Sequence, residues 1–307
     1  MNQLAEPFVA NDLLNNATAL RERMNREGYL FFRSIFDPNA IRQIRLQVLE
    51  ICREAGWLQD GAPLEEGRVG KAPSDVTLAM RQAVSRKLFG LQAVHEFFHT
   101  APITDIAEKL IGEPIVPHVH KQVRAQFPVE PDKADQVTNA HQDFVYNQGT
   151  PEVYTCWVPL GDIPRDFGGL QVLPGSHKQG IYEVHAPTPG SITLSINDAD
   201  LTGEWAAPDY KMGDAIFFHS MTVHRVLANR SQSLRLSMDC RYQALAEPFS
   251  EELLKPLPGV EEAYPTWTST ALQYYWQKLN LKSVPHDRSY LDKAAAEARE
   301  LGRAGGS

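Results

Sequence analysis

The sequence predicts a mainly β protein with flanking helices, built on a double-stranded β-helix (a jelly-roll, cupin-like core) over about residues 115–243. Three observations carry this expectation. The stretch breaks into short runs rich in β-branched and aromatic residues, at 115–127, 152–160, 169–174, 191–195, 214–218, 222–227 and 233–243. Turn residues such as Pro174-Gly175-Ser176 and Met212-Gly213-Asp214 separate the runs, and many short strands punctuated in this way suit two packed antiparallel sheets. The segments before and after this stretch instead repeat their apolar residues at helical spacing.

Each element has its own signal. Residues 11–27 read as an amphipathic helix that Gly28 ends, and Tyr29-Leu30-Phe31-Phe32 follows as an aromatic strand. Asp37 is a natural N-cap with Pro38 at the first helical position, and Ile41, Ile44, Val48, Ile51 and Cys52 then mark one face of a second helix to about Ala55. Residues 57–75 carry Gly61, Pro63, Gly67, Gly70 and Pro73 and read as a loop able to act as a lid. Helical pattern resumes at 76–111, and Gly112 with Pro114 closes it. After the β region, an extension at about 247–304 is helical and irregular, interrupted by Pro256, Pro258, Pro265 and Pro285. A single catalytic domain spanning 1–307 is expected, because β barrels of this length commonly form one unit.

Composition narrows the function. With 43% hydrophobic and 22% charged residues the chain has the mix of a folded globular protein. A formal charge of −8 provides no footprint for nucleic acid or an anionic membrane, so a small-molecule partner is expected. Cys52, Cys156 and Cys240 are odd in number and far apart, which argues against a disulfide framework or a zinc ribbon. The N-terminus has no basic-then-apolar leader pattern and no apolar run approaches a membrane span, so a cytoplasmic location is expected.

Ten histidines offer competing metal sites. His95-Glu96-Phe97-Phe98-His99 matches HExxH, the spacing with which a helix aims two imidazoles at zinc for hydrolysis. Leu91, Val94 and Phe98 already form the apolar stripe of that helix, however, and no third ligand follows. His118 and His120 alternate on a strand with Gln122, Arg124 and Gln126, a polar face on which Gln122 or Arg124 suits contact with a bound acid. His141-Gln142-Asp143 places an imidazole and a carboxylate on one side of an extended segment. A second imidazole from a distant strand would complete a 2-His-1-carboxylate set with three faces of an iron left open.

Downstream of that pair stand the segment Phe167-Gly168-Gly169-Leu170-Gln171-Val172-Leu173-Pro174-Gly175-Ser176-His177, then Gly213-Asp214 before an apolar strand, then His224 and, eleven residues later, Arg235. This ordered set, with Gly28-Tyr29-Leu30-Phe31-Phe32-Arg33 near the start, resembles the phytanoyl-CoA dioxygenase family of iron(II)/2-oxoglutarate oxygenases over roughly residues 20–243.

The resemblance implies Fe(II) held by His141, Asp143 and His224, with 2-oxoglutarate and O2 as cosubstrates. It implies Arg235 as partner of the distal carboxylate of 2-oxoglutarate, where a guanidinium fork suits a desolvated carboxylate better than a lysine point charge. Many members carry Ser two residues after the distal His; Val226 stands there in this chain, and Ser237, on the same face as Arg235, is the expected substitute. Thr155 and Gln122 are further candidates for contacting the cosubstrate, and Trp157, Tyr146 and Arg241 for the substrate pocket. His177 and His219 are read as packing residues. The implied reaction is oxidation, foremost hydroxylation, of a small organic substrate with release of succinate and CO2. A non-catalytic metal-binding or small-molecule-binding jelly roll, and a zinc hydrolase on His95 and His99, are the alternatives.

Overall fold

In a computed structural model, which describes residues 4–129, 136–186 and 194–304, the architecture is two antiparallel sheets with helices packed on one of them. The N-terminal part supplies α1 (Ala17–Glu27), β1 (Tyr29–Phe32), α2 (Pro38–Glu54), α3 (Leu78–Phe89), α4 (Gln92–Phe97) and α5 (Ala101–Ile111). Local chemistry sets their ends. Asn16 accepts a hydrogen bond from the Ala19 amide to start α1, and Asp37 accepts one from Asn39 to start α2.

Gly28, in the left-handed region at φ 79°, ends α1 and turns the chain into β1. A Cβ there would lie 2.5 Å from His177 Nδ1 and 2.6 Å from Thr222 Oγ1, so the turn doubles as a close approach that admits only glycine.

The helical pattern read across 76–111 resolves into three helices, α3, α4 and α5. A break falls at Gly90, whose place against Ala263 excludes a side chain, and another at Thr100, just before Pro102 in the first turn of α5. The expected first helix likewise begins as a 3-10 turn at Asn11–Leu13 before α1. The run at 191–195 lies largely outside the described residues.

The β region comprises β2 (Ile115–Gln126), β3 (Gln136–His141), β4 (Val153–Pro159), β5 (Leu170–Val172), β6 (Ala215–His219), β7 (His224–Leu227) and β8 (Arg235–Ala244), with a one-turn helix α6 (Phe144–Asn147) after β3. The large sheet runs β1-β6-β4-β8-β2 and the small one β3-β7-β5. Alternation along the strands of the large sheet sorts side chains between two cores. Phe32, Tyr154, Cys156, Val158, Phe217, Leu236, Met238, Cys240 and Tyr242 pack with α2, α3 and α5. Tyr29, Phe31, Trp157, Ile216 and Phe218 face inward, where Val172 and Val226 of the small sheet meet them.

The inward face of β8 departs from this apolar rule: Arg235, Ser237, Asp239, Arg241 and Gln243 are all buried there. Buried charge is costly unless paired, so this stripe locates the interior polar site. The C-terminal part adds a two-stranded ribbon of β9 (Phe249–Ser250) and β10 (Ser283–Val284), α7 (Val260–Ala263) and α8 (Ser289–Ala304). Trp267 anchors it by donating Nε1–H to the Gly90 carbonyl at 2.9 Å. No helix among the described residues is long and apolar enough to cross a membrane.

Candidate metal centre

His141 ends β3 directly opposite His224 at the start of β7, and their ring centroids are 4.1 Å apart. Each imidazole sets its Nδ1 against a backbone carbonyl two residues earlier, His141 on Asn139 at 2.8 Å and His224 on Thr222 at 3.0 Å. A carbonyl can only accept, so Nδ1 carries the proton and Nε2 keeps its lone pair. Both Nε2 atoms face Asp143 Oδ1, at 3.9 and 3.7 Å. The three ligand atoms lie within 4.8 Å of one another, the spacing that one metal ion bridges, and this is the one such trio among the described residues.

The HxD alternation expected from sequence is not what brings His141 and Asp143 together. β3 stops at His141, and Asp143, with φ −61° and ψ −27°, is already in helical conformation at the start of α6. Gln142 fixes this bend from a fully buried position, donating from Nε2 to the Gly180 and Met221 carbonyls and accepting from the Tyr182 amide.

The second oxygen of Asp143 is fully engaged. Thr155 donates to Oδ2 at 2.7 Å, and Arg241 donates through Nε at 3.2 Å and Nη2 at 3.0 Å. Burial raises the Asp143 pKa, but Arg241, His224 and His141 with the Thr155 bond outweigh it and hold the carboxyl well below the usual range. The result is an ionised carboxylate with Oδ1 alone left for a cation. Burial, with the neighbouring His224, pushes His141 down to about 3, so the imidazoles stay neutral as ligation requires.

Arg241 also donates to Asp239, whose other oxygen accepts from Arg124 Nε at 3.0 Å. Thr155 and Arg241, opposite each other on β4 and β8, thus both bond Asp143. Trp157, 2% exposed, packs against Tyr210 in the inward core. Tyr146 stands edge-on to His141 at 5.8 Å while its hydroxyl accepts from the Leu194 amide. Gln122 shares the inward face of β2, opposite Asp239.

Arg235 is 2% exposed and has no carboxylate partner among the described residues. Its Nη1 donates to Ser237 Oγ at 2.7 Å, its Nη2 to Gln126 Oε1, and its Nε has no partner among the described residues. Burial, with Arg124 nearby, pulls its pKa down to about 9. A buried guanidinium held by two neutral groups suits an anion, and its fork matches one carboxylate of a dicarboxylate. Donor set, tautomers and unpaired cation together fit an iron ion and 2-oxoglutarate.

The other histidines do not converge. His95 meets the Phe89 carbonyl at 2.8 Å and the Trp267 ring, His99 lies edge-on to Tyr275, and His118 bonds Gln243 Oε1 at 2.8 Å. His120 instead bonds the Lys255 carbonyl at 2.7 Å, beyond a register shift between Pro117 and Lys121. Burial pushes both His95 and His118 down to about 3. Since unfolded histidine takes up a proton near pH 6.5, the unfolded chain binds more protons below that value. The stability these neutral rings provide is present above pH 6.5 and lost as pH falls toward 3. Two such protons amount to about 3 kcal/mol per pH unit. Thermal unfolding of the metal-free protein should therefore show a midpoint that drops steeply between pH 6 and 4, and a flat profile there would contradict it.

Comparison with known proteins agrees with this geometry. A family model described as phytanoyl-CoA dioxygenase matches residues 24–237. The 1-deoxypentalenic acid 11-beta-hydroxylase of Streptomyces arenae is 27% identical over 259 residues, covering 80% of this chain and 88% of that protein. The peroxisomal phytanoyl-CoA dioxygenase of Rattus norvegicus is 24% identical, covering 74% of this chain and 69% of its own. In fold, the chain is similar to EctD from S. alaskensis, solved with 2-oxoglutarate and 5-hydroxyectoine, with TM-score 0.56, 16% identity and coverage of 92% and 93%. A match of that extent, on a jelly roll holding a His-Asp-His cluster, means that the chain belongs to the phytanoyl-CoA dioxygenase family of iron(II)- and 2-oxoglutarate-dependent oxygenases.

Proposed function

We propose that this oxygenase binds one Fe(II) through His141 Nε2, Asp143 Oδ1 and His224 Nε2, pairs Arg235 with the distal carboxylate of 2-oxoglutarate, and hydroxylates a small organic substrate. The observation that carries the reading is the buried Arg235, whose partners among the described residues are the neutral Ser237 and Gln126, on the same inward stripe of β8 as the arginine that clamps Asp143. When bound, iron and 2-oxoglutarate supply O2 activation, one oxygen atom leaving in succinate and the other entering product as CO2 is released.

The chain's own residues do the rest. Thr155 and Arg241 hold Asp143 to a single ligating oxygen, which leaves coordination positions for cosubstrate and O2. Ser237 and Gln126 aim the Arg235 fork, and the inward rings of Phe218 and Tyr146 beside His224 and His141 exclude water. The Streptomyces arenae relative is named for hydroxylation of a small acid, which supports hydroxylation as the outcome.

Anaerobic addition of Fe(II) and 2-oxoglutarate should produce a visible metal-to-ligand absorption band with one iron per chain, and a substrate library should release succinate with a gain of one oxygen in product. A protein giving neither band nor succinate would refute the proposal. Oxygenation rather than halogenation is expected, since a halide would have to displace a carboxylate held by three hydrogen bonds. Chlorinated product in saline buffer, read by mass spectrometry, would contradict that.

A further inference from the structure

A cavity of about 440 Å³ opens beside β2, the edge strand of the large sheet, and extends inward to Arg235. Its volume falls in the range of small-molecule sites. The wall has two unlike parts. Trp57, Val84, Leu88 and Phe127 provide an apolar side in which the Trp57 and Phe127 rings pack with centroids 4.9 Å apart, tilted by 58°. Arg81, Arg124 and Arg235 provide the other, and among the described residues no aspartate or glutamate lines the cavity.

The charges do not balance. Among the described residues of the inward face, Arg124, Arg235 and Arg241 face two carboxylates, Asp143 and Asp239, and Arg241 draws on both. Adding a divalent cation and a dicarboxylate leaves that excess unchanged. Arg124 has one bond, from Nε to Asp239, and its side chain is 45% exposed. Among the described residues its Nη fork has no partner. Arg81, on α3, lies over the Phe127 ring at 4.8 Å and donates to the Pro73 carbonyl at 3.1 Å, with no carboxylate partner among those residues. Concave walls concentrate such a field, and a guanidinium fork suits a carboxylate.

We propose that the substrate is a carboxylic acid with an apolar body, its carboxylate held by Arg124 and Arg81 and its hydrocarbon part lying against Trp57, Phe127 and Leu88. The proposal rests on the oxygenase reading above and adds the class of substrate. Arg124 also sets its reach: joined through Asp239 and Arg241 to Asp143, it holds the acid group on the metal side of the cavity mouth.

The test is calorimetric, with no turnover. Anaerobic protein saturated with Fe(II) and 2-oxoglutarate is titrated with adamantane-1-carboxylate and dodecanoate, and with their primary amides as neutral matches. At least one acid should bind about 10- to 100-fold more tightly than its amide, the effect of hydrogen bonds to a charged group. Arg81→Gln and Arg124→Gln should each erase most of that difference while amide binding stays the same. Trp57→Ala should weaken acid and amide alike. The proposal is overturned if no acid outbinds its amide, if both arginine variants keep the preference, or if excess 2-oxoglutarate displaces the acid, which would make the cavity the cosubstrate's own site. Absence of the absorption band with acid binding intact would instead fault the iron and 2-oxoglutarate reading.

Discussion

In the Arg235→Ala variant, the 2-oxoglutarate concentration giving half-maximal turnover should rise by a factor of about 30 to several thousand. Truncating one member of a desolvated, hydrogen-bonded charge pair costs about 2–5 kcal/mol. Here the site is 2% exposed, and the two groups aiming the fork, Ser237 and Gln126, are neutral and cannot replace its charge. Arg235→Lys should fall between the two, keeping charge but losing the second parallel hydrogen bond. Iron affinity measured without cosubstrate should be unchanged in both, because no metal ligand is altered. Unchanged 2-oxoglutarate affinity in Arg235→Ala would shift the carboxylate to Arg124, the other inward guanidinium with an open fork.

Removing His224 should have the larger effect. Changing only an outer partner of a metal ligand costs about 10- to 100-fold in metal affinity or activity, so loss of the ligand itself should exceed that range. His224→Ala and His141→Ala are expected to carry little iron after desalting and to release no succinate above background. His95→Ala and His99→Ala should keep one iron per chain, with His95→Ala melting at lower temperature because its ring is buried against Trp267 and the Phe89 carbonyl. Metal lost from His95→Ala, or full turnover in His224→Ala, would refute the assignment.

Much of this was legible in the sequence because strands advertise themselves by alternation and turn residues. Gly28 and Gly213 mark turns, and Asp37-Pro38 marks a helix start, through chemistry that acts within a few residues. His141, Asp143, His224 and Arg235 could be singled out as candidates because their order along the chain resembles the pattern of the phytanoyl-CoA dioxygenase family; spacing alone left the other histidines in contention. What could not be read is who touches whom across those sheets. Thr155 and Arg241 sit opposite each other only through the β4–β8 register, so their shared hold on Asp143 has no local trace. A signal for Arg241 did exist: Arg235, Ser237, Asp239, Arg241 and Gln243 alternate with Leu236, Met238, Cys240 and Tyr242, and such a polar stripe along an otherwise apolar strand marks an interior site. The burial of Trp157 against Tyr210 was not legible, because alternation identifies a face but not its depth. The helical pattern read over 76–111 did not show where it divides: one break falls where Gly90 had to fit against Ala263, a contact about 170 residues distant in the chain.

The order of the strands in the large sheet also bears on how the protein comes to be made. β1 has β6 as its neighbour, Tyr29 pairing with Phe218 about 190 residues later, and β2 pairs only with β8, near the end of the core. Contacts so remote in sequence close late and slowly. During synthesis the first hundred residues must wait with their apolar strand and helices uncovered until β6 and β8 emerge, the interval in which a nascent chain is most exposed to aggregation. Metal cannot shorten that wait, since His224 follows nearly all of the strands it depends on. Slower elongation or lower temperature should therefore raise the yield of folded protein more than added iron does.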